Sequence, residues 1–132
     1  MGGTDRTLVL VVDDQEHARA PLVRSLREQG FEVDEADCGR KAIAMLQRHG
    51  FTAVITDISM PNGNGIELLT KAKKLKAHIR VFLMSDYPEL YAENEGFELA
   101  DAVFKKPINP EEVVRAVQRA CGRGVVSSLL VA

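Results

Sequence analysis

Short apolar runs alternate with longer amphipathic stretches along nearly the whole chain. Residues 8–12, LVLVV, are continuously apolar, the pattern of a strand covered on both faces. In residues 15–29, Ala18, Leu22 and Leu26 recur at helical spacing and Val23 widens the stripe, which predicts a helix closed by Gly30. Pro21 removes a backbone donor inside that stretch and crowds the carbonyl of His17, so a kink or a later start is expected. Residues 31–36 alternate as a second strand, and Ala42, Ile43 and Leu46 mark a helix over 39–49 before Gly50. The third strand is 53–56. After Gly65, the apolar face Ile66, Leu69, Ala72 and Leu75 predicts a helix with its lysines outward. Residues 80–84 form the fourth strand. Residues 88–99 have weak helical periodicity broken by Gly96, so the least rigid helix is expected there. A short fifth strand, 102–104, precedes Asn109-Pro110-Glu111-Glu112, a strong helix start that leads into Val113, Val114, Val117 and Cys121. That helix runs to Gly122.

Five strand–helix repeats with short links predict an α/β fold, a doubly wound five-stranded parallel sheet of order 2-1-3-4-5 with helices on both faces. At 132 residues there is room for one domain. A net charge of -2, with 45% hydrophobic and 27% charged residues, is ordinary for a globule and argues against direct nucleic-acid binding. Cys38 and Cys121 are too few and too far apart for a disulfide framework or a metal-ligand pair, and read as reduced, buried thiols. Neither a signal-peptide core nor a membrane-spanning run is present in the sequence, so a cytoplasmic location without membrane attachment is expected.

The chemistry follows from what ends each strand. Strand one ends in Asp13-Asp14, strand three in Asp57, strand four in Ser85 and strand five in Lys105-Lys106-Pro107. In this winding, strands one and three straddle the point where the order reverses, so their three carboxylates converge. Two carboxylates about 4 Å apart repel by roughly 4 kcal/mol at an effective dielectric of about 20, so the cluster needs a cation or a proton. Hard oxygen ligands without His or Cys favour Mg²⁺ or Mn²⁺, with a phosphate as the natural third party. Asp57 then suits a nucleophile toward a phosphoryl group, with Lys106 and Ser85 neutralising and hydrogen-bonding its oxygens. Asp13 with Glu16 also fits a D-x-x-E capping box, expected alongside metal binding. His17, His49 and His78 lack ligand spacing and are expected at the surface.

The ordered set VVDD, TDISMPNGNG, MS and FKKP resembles the receiver domains of two-component response regulators over residues 8–123. The resemblance implies a flavodoxin-like, CheY-like (βα)5 fold with Asp57 as phosphoacceptor. It also implies Mg²⁺ on Asp13, Asp14, Asp57 and the backbone carbonyl of Ser59, Ser85 as the switch hydroxyl, Lys106 as the phosphate-contacting lysine, and a cis Lys106-Pro107 bond. A sensor histidine kinase or a histidine phosphotransfer protein would be the donor. Such a domain catalyses only its own phosphorylation and dephosphorylation and is not otherwise an enzyme. The family's usual dimer or partner face is its fourth helix, fifth strand and fifth helix; the output partner is unnamed.

Departures keep a second reading open, a receiver-like interaction module working without phosphorylation. Val103 stands where the family usually has Tyr or Phe, with Phe104, Tyr87 and Tyr91 as substitutes; Asp86 stands where a small residue is usual, and Leu99 where Gly is frequent. A haloacid-dehalogenase-type phosphatase would want an acid at Ser59, and a flavodoxin would not place Asp13 and Asp14 against a phosphate. Residues 1–123 are expected to form the domain and 124–132, GVVSSLLVA, a tail or linker start. The sequence after Gly122 offers no output segment, so the chain either acts through its own surface or belongs to a longer regulator.

Overall fold

The structure is a computed structural model that describes residues 7–61 and 63–122. In chain order the elements are β1 (Leu8–Val12), α1 (Glu16–Glu28), β2 (Glu32–Ala36), α2 (Gly39–Arg48), β3 (Ala53–Asp57), β4 (Ser59–Met60), β5 (Gly63–Asn64), α3 (Gly65–Leu75), β6 (Arg80–Ser85), β7 (Ala102–Lys105) and α4 (Pro110–Ala120). The five long strands pair in parallel in the order β2-β1-β3-β6-β7, while β4 and β5 make a separate two-residue antiparallel hairpin. With that hairpin set aside, this is the expected winding.

Alternate strand residues point to opposite faces, and the core divides accordingly. Val9, Val11, Ala53, Ile55, Phe82 and Met84 pack with Leu22, Val23 and Leu26 of α1 and with Val113, Val114 and Val117 of α4. Leu10, Val12, Val54, Val81 and Leu83 pack with Ala42 of α2 and with Ile66, Leu69 and Ala72 of α3. Asn109 caps α4 by accepting from the Glu111 N–H at 3.0 Å, and Asn64 caps α3 by accepting from the N–H groups of Ile66 and Glu67 at 2.9 Å.

Pro21 does not delay α1, which begins at Glu16 with the Gln15 carbonyl accepting from Ala18 and Arg19. Burying Leu22, Val23 and Leu26 contributes about 1.5–3 kcal/mol each, against a cost of about 3 kcal/mol for an interior proline. Gln15, not Asp13, occupies the N-cap, and it makes no side-chain cap bond. The capping-box expectation is therefore wrong: Asp13 lies two residues ahead, and its carboxylate accepts from the Gln15 N–H.

The expected helix over 88–99 is absent. Two 3-10 turns, Pro88–Leu90 and Phe97–Leu99, connect β6 to β7 instead. Residues 86–101 hold six acids and no Lys, Arg or His, so no ion pair within the stretch supports a helix, and Glu89 and Glu93 would repel at i,i+4. Gly96 adopts φ +96, a left-handed value no helix interior allows. Lys73 also departs from the outward pattern, because its ammonium turns in to the Ile79 carbonyl and Asp101. Leu75, expected on the buried face, is exposed, and both cysteines are half-buried rather than buried. The tail over 124–132 lies outside the described residues. Among those residues no helix is long and apolar enough to cross a membrane.

Candidate functional site

Register carries the strand-end residues to one edge of the sheet. Val12 stands opposite Ala36 and Thr56, Asp57 opposite Met84, and Ser85 opposite Lys105, so Asp13, Asp57, Ser85 and Lys106 leave the sheet at neighbouring positions. Backbone bonds continue past the strands and hold the emerging loops. Asp13 N–H donates to the Ala36 carbonyl at 3.1 Å, Ile58 N–H to Met84 at 2.9 Å, and Lys106 N–H to Ser85 at 2.9 Å. The Lys106-Pro107 bond is cis, as the sequence resemblance implied.

One carboxylate oxygen from each of Asp13, Asp14 and Asp57 lies within 4.8 Å of the others. Asp13 and Asp57 are buried, and Asp14 is more exposed than either. The Lys106 ammonium lies 3.0 Å from Asp13 Oδ2 and 3.3 Å from Asp57 Oδ2. Among the described residues, one ammonium thus pairs with two of the three acids. The charge balance shows in Asp57: burial pushes its carboxyl up, Lys106 pulls it down, Asp13 and Asp14 push it up again, and the result is about 6 against an ordinary 3.8. For Lys106, burial disfavours the ammonium, but its bonds to Asp13 and Asp57 outweigh that and raise it above 10.5.

Ser85 is buried at the end of β6, and its Oγ accepts from the Tyr87 N–H at 3.0 Å. Ser59 is exposed in β4, at the head of the hairpin that follows Asp57. Gly65 lets this hairpin return against β3: a Cβ there would overlap the Asp57 carbonyl oxygen and sit 3.0 Å from Ile58 Cα. Beside Asp13 and Lys106 a cleft of about 360 Å³ opens, walled by Ala18, Met84, Pro107 and Ile108, with Asp86 on its rim. His17, His49 and His78 are exposed, as expected. Sequence reasoning missed Arg19, whose guanidinium donates to the Asp13 carbonyl at 2.5 Å and to Glu35 at 2.7 Å. It stands six residues from Asp13, a spacing with no motif of its own.

The model of the response regulator receiver domain matches residues 9–118. The chain belongs to that family. The Staphylococcus aureus transcriptional regulatory protein SrrA is 31% identical over 111 residues, which is 83% of this chain and 46% of that protein. The chain therefore spans about half the length of the curated relatives it matches. Among solved structures, the response regulator protein TrrA from Thermotoga maritima in complex with Mg(2+)-BeF aligns with a TM-score of 0.79 and 30% identity, covering 86% of this chain and 98% of that one. The chemotaxis response regulator CheY4 of Vibrio cholerae aligns with a TM-score of 0.78 and 28% identity, covering 87% and 98%. The likeness includes the parallel α/β architecture.

Within this receiver domain, the side chain at 103 faces the α2 and α3 side with Tyr91 and Phe97. Phe104 points to the opposite face and stacks on Phe82 at 6.4 Å between centroids, so it does not substitute for an aromatic residue at 103. Tyr87 is 59% exposed, so of the three aromatic substitutes only Tyr91 shares the face of Val103, where Phe97 also packs.

Proposed function

We propose that this receiver domain accepts a phosphoryl group on Asp57 from a sensor histidine kinase or a histidine phosphotransfer protein, and thereby changes its affinity for an output partner. The observation that carries the reading is the convergence of Asp13, Asp14 and Asp57 within 4.8 Å, with Lys106 bonded to two of them. Three carboxylates against one ammonium, all oxygen donors, fit Mg²⁺ or Mn²⁺, held by Asp13, Asp14, Asp57 and the Ser59 carbonyl. Bound there, the ion would offset the charge that gathers on the phosphoryl oxygens.

Asp57 supplies the nucleophile. With its carboxyl at about 6, it is mostly ionised at neutral pH. One of its oxygens attacks the phosphorus of the donor's phosphohistidine as the phosphorus–nitrogen bond breaks, and the electron pair returns to the imidazole, which takes up a proton. Lys106, held in its charged form, stabilises the new oxygens while keeping its own proton. Ser85 donates a hydrogen bond from its hydroxyl to a phosphoryl oxygen, keeping its proton. Its Oγ already accepts from the Tyr87 N–H, so an inward turn of Ser85 pulls on the chain entering the 88–99 turns. That segment carries exposed Tyr87, Leu90 and Leu99, three of the four large apolar side chains exposed among the described residues, which supports it as the partner face together with β7 and α4. No separate substrate is turned over, so the domain is a switch rather than an enzyme. The Val103 departure favours one competing reading, an interaction module that works without phosphorylation.

A thermal melt with Mg²⁺ and beryllofluoride, a phosphoryl mimic, separates the two. Wild type is expected to gain about 10 °C at a hundredfold excess over Kd, and Asp57→Ala to gain nothing from beryllofluoride. A wild-type melting point unmoved by the pair would favour the phosphorylation-independent module.

A further inference from the structure

We infer that Arg19 is a positioning residue for the divalent-cation site, holding the Asp13–Asp14 peptide so that the Asp14 carboxylate faces the cluster. The inference rests on the proposed metal-dependent phosphorylation and adds a residue to it from outside the strand-end set. Every polar group of Asp13 is engaged. Its N–H donates to Ala36, its Oδ1 accepts from the Gln15 N–H at 3.0 Å, its Oδ2 accepts from Lys106, and its carbonyl accepts from Arg19 Nη1 at 2.5 Å. That carbonyl shares one rigid plane with the N–H and Cα of Asp14. Fixing it fixes where the Asp14 Cα, and so the root of its side chain, sits. Among the described residues no hydrogen-bond donor holds the Asp14 carboxylate, so the anchored backbone before it is the support the structure gives its position.

The guanidinium is itself fixed. Its Nε donates to Glu35 Oε1 at 2.7 Å, and the Arg19 side chain is only 14% exposed. Arg19 therefore ties three pieces together: α1, which carries it, the end of β2, which carries Glu35, and the loop after β1. A planar fork can serve two acceptors at fixed angles, which a lysine ammonium on a flexible stem does not reproduce. Groups that orient metal ligands from behind typically change metal affinity by 10- to 100-fold when removed.

The test compares Mg²⁺ titrations, followed by chemical-shift change, of wild type, Arg19→Gln, Arg19→Lys and Glu35→Gln, each first checked for folding by circular dichroism in EDTA. Arg19→Gln is expected to raise the Mg²⁺ Kd about tenfold, with Arg19→Lys and Glu35→Gln between it and wild type. Phosphorylation by acetyl phosphate should then be depressed at low Mg²⁺ and recover at saturating Mg²⁺. A purely structural staple would lower the melting point in EDTA and leave the Kd within twofold of wild type, and that result overturns the inference. If Arg19→Gln does not fold, unchanged Kd values in both Arg19→Lys and Glu35→Gln overturn it equally. A wild type that binds no Mg²⁺ would instead remove the proposed function and this inference with it, whereas wild-type binding with unaffected variants removes only the role of Arg19.

Discussion

Asp57 is buried at 6% exposure beside two further acids, and the fold holds its charge at a cost. Its folded carboxyl titrates at about 6, above the ordinary 3.8, so the folded state binds this proton more tightly than the unfolded chain does. The cost is absent below pH 3.8, grows as pH rises through about 6, and is complete above that. Asp57→Asn is therefore expected to stabilise the metal-free protein by about 1–3 kcal/mol at pH 7.5, with the gain vanishing toward pH 4; urea melts in EDTA at both pH values check this. Asp86 acts from farther out. It lies exposed on the rim of the cleft that Lys106 lines. A solvated like charge there contributes roughly 0.5 kcal/mol, so Asp86→Ala should speed phosphorylation by acetyl phosphate about twofold, less so at high salt. Unchanged kinetics at low ionic strength would dismiss it as a factor.

Among the elements, the hairpin after Asp57 and the start of β7 carry constraints that no motif announces. Gly65→Ala forces a methyl group onto the Asp57 backbone, which cannot yield without moving the site. A loss of about 1–3 kcal/mol is expected, together with weaker beryllofluoride binding. At the other end of the sheet, Asp101 accepts from the Val81 N–H at 2.7 Å, from Lys73 at 3.0 Å and from Arg80 at 3.1 Å. Burial disfavours its charge, but these donors outweigh that and hold its carboxyl below 3.8, so it contributes stability above the ordinary carboxylate range that is lost as pH falls through its folded value. Asp101→Asn should cost about 1–2 kcal/mol at pH 7 in a urea melt, with little cost left near pH 3. The central strands were legible because residues buried on both faces must be largely apolar, as LVLVV and residues 53–55 are. Asp101 was not, because one acid at a strand entrance has no signature until Lys73 and Arg80 fold against it. The 88–99 helix failed for a related reason: its few apolar positions reach the core through turns around Gly96, while its acids find no partners within the segment.

Across the whole molecule, the winding reverses between β1 and β3, and that reversal gathers the acids. The convergence was legible from strand ends alone, since parallel strands present their carboxyl ends together. Which face each aromatic residue takes was not, since a one-residue step along β7 sends Val103 and Phe104 to opposite sides. Nor was the brace that Arg19 makes between α1, β2 and the loop after β1. The most direct measurement is intact mass after incubation with acetyl phosphate, with and without Mg²⁺, for wild type and Asp57→Ala. A gain of one phosphoryl group that requires both Mg²⁺ and Asp57 is the predicted result. Wild type without an adduct under conditions where beryllofluoride also fails to bind, or an adduct that persists in Asp57→Ala, would contradict Asp57 as the phosphoacceptor.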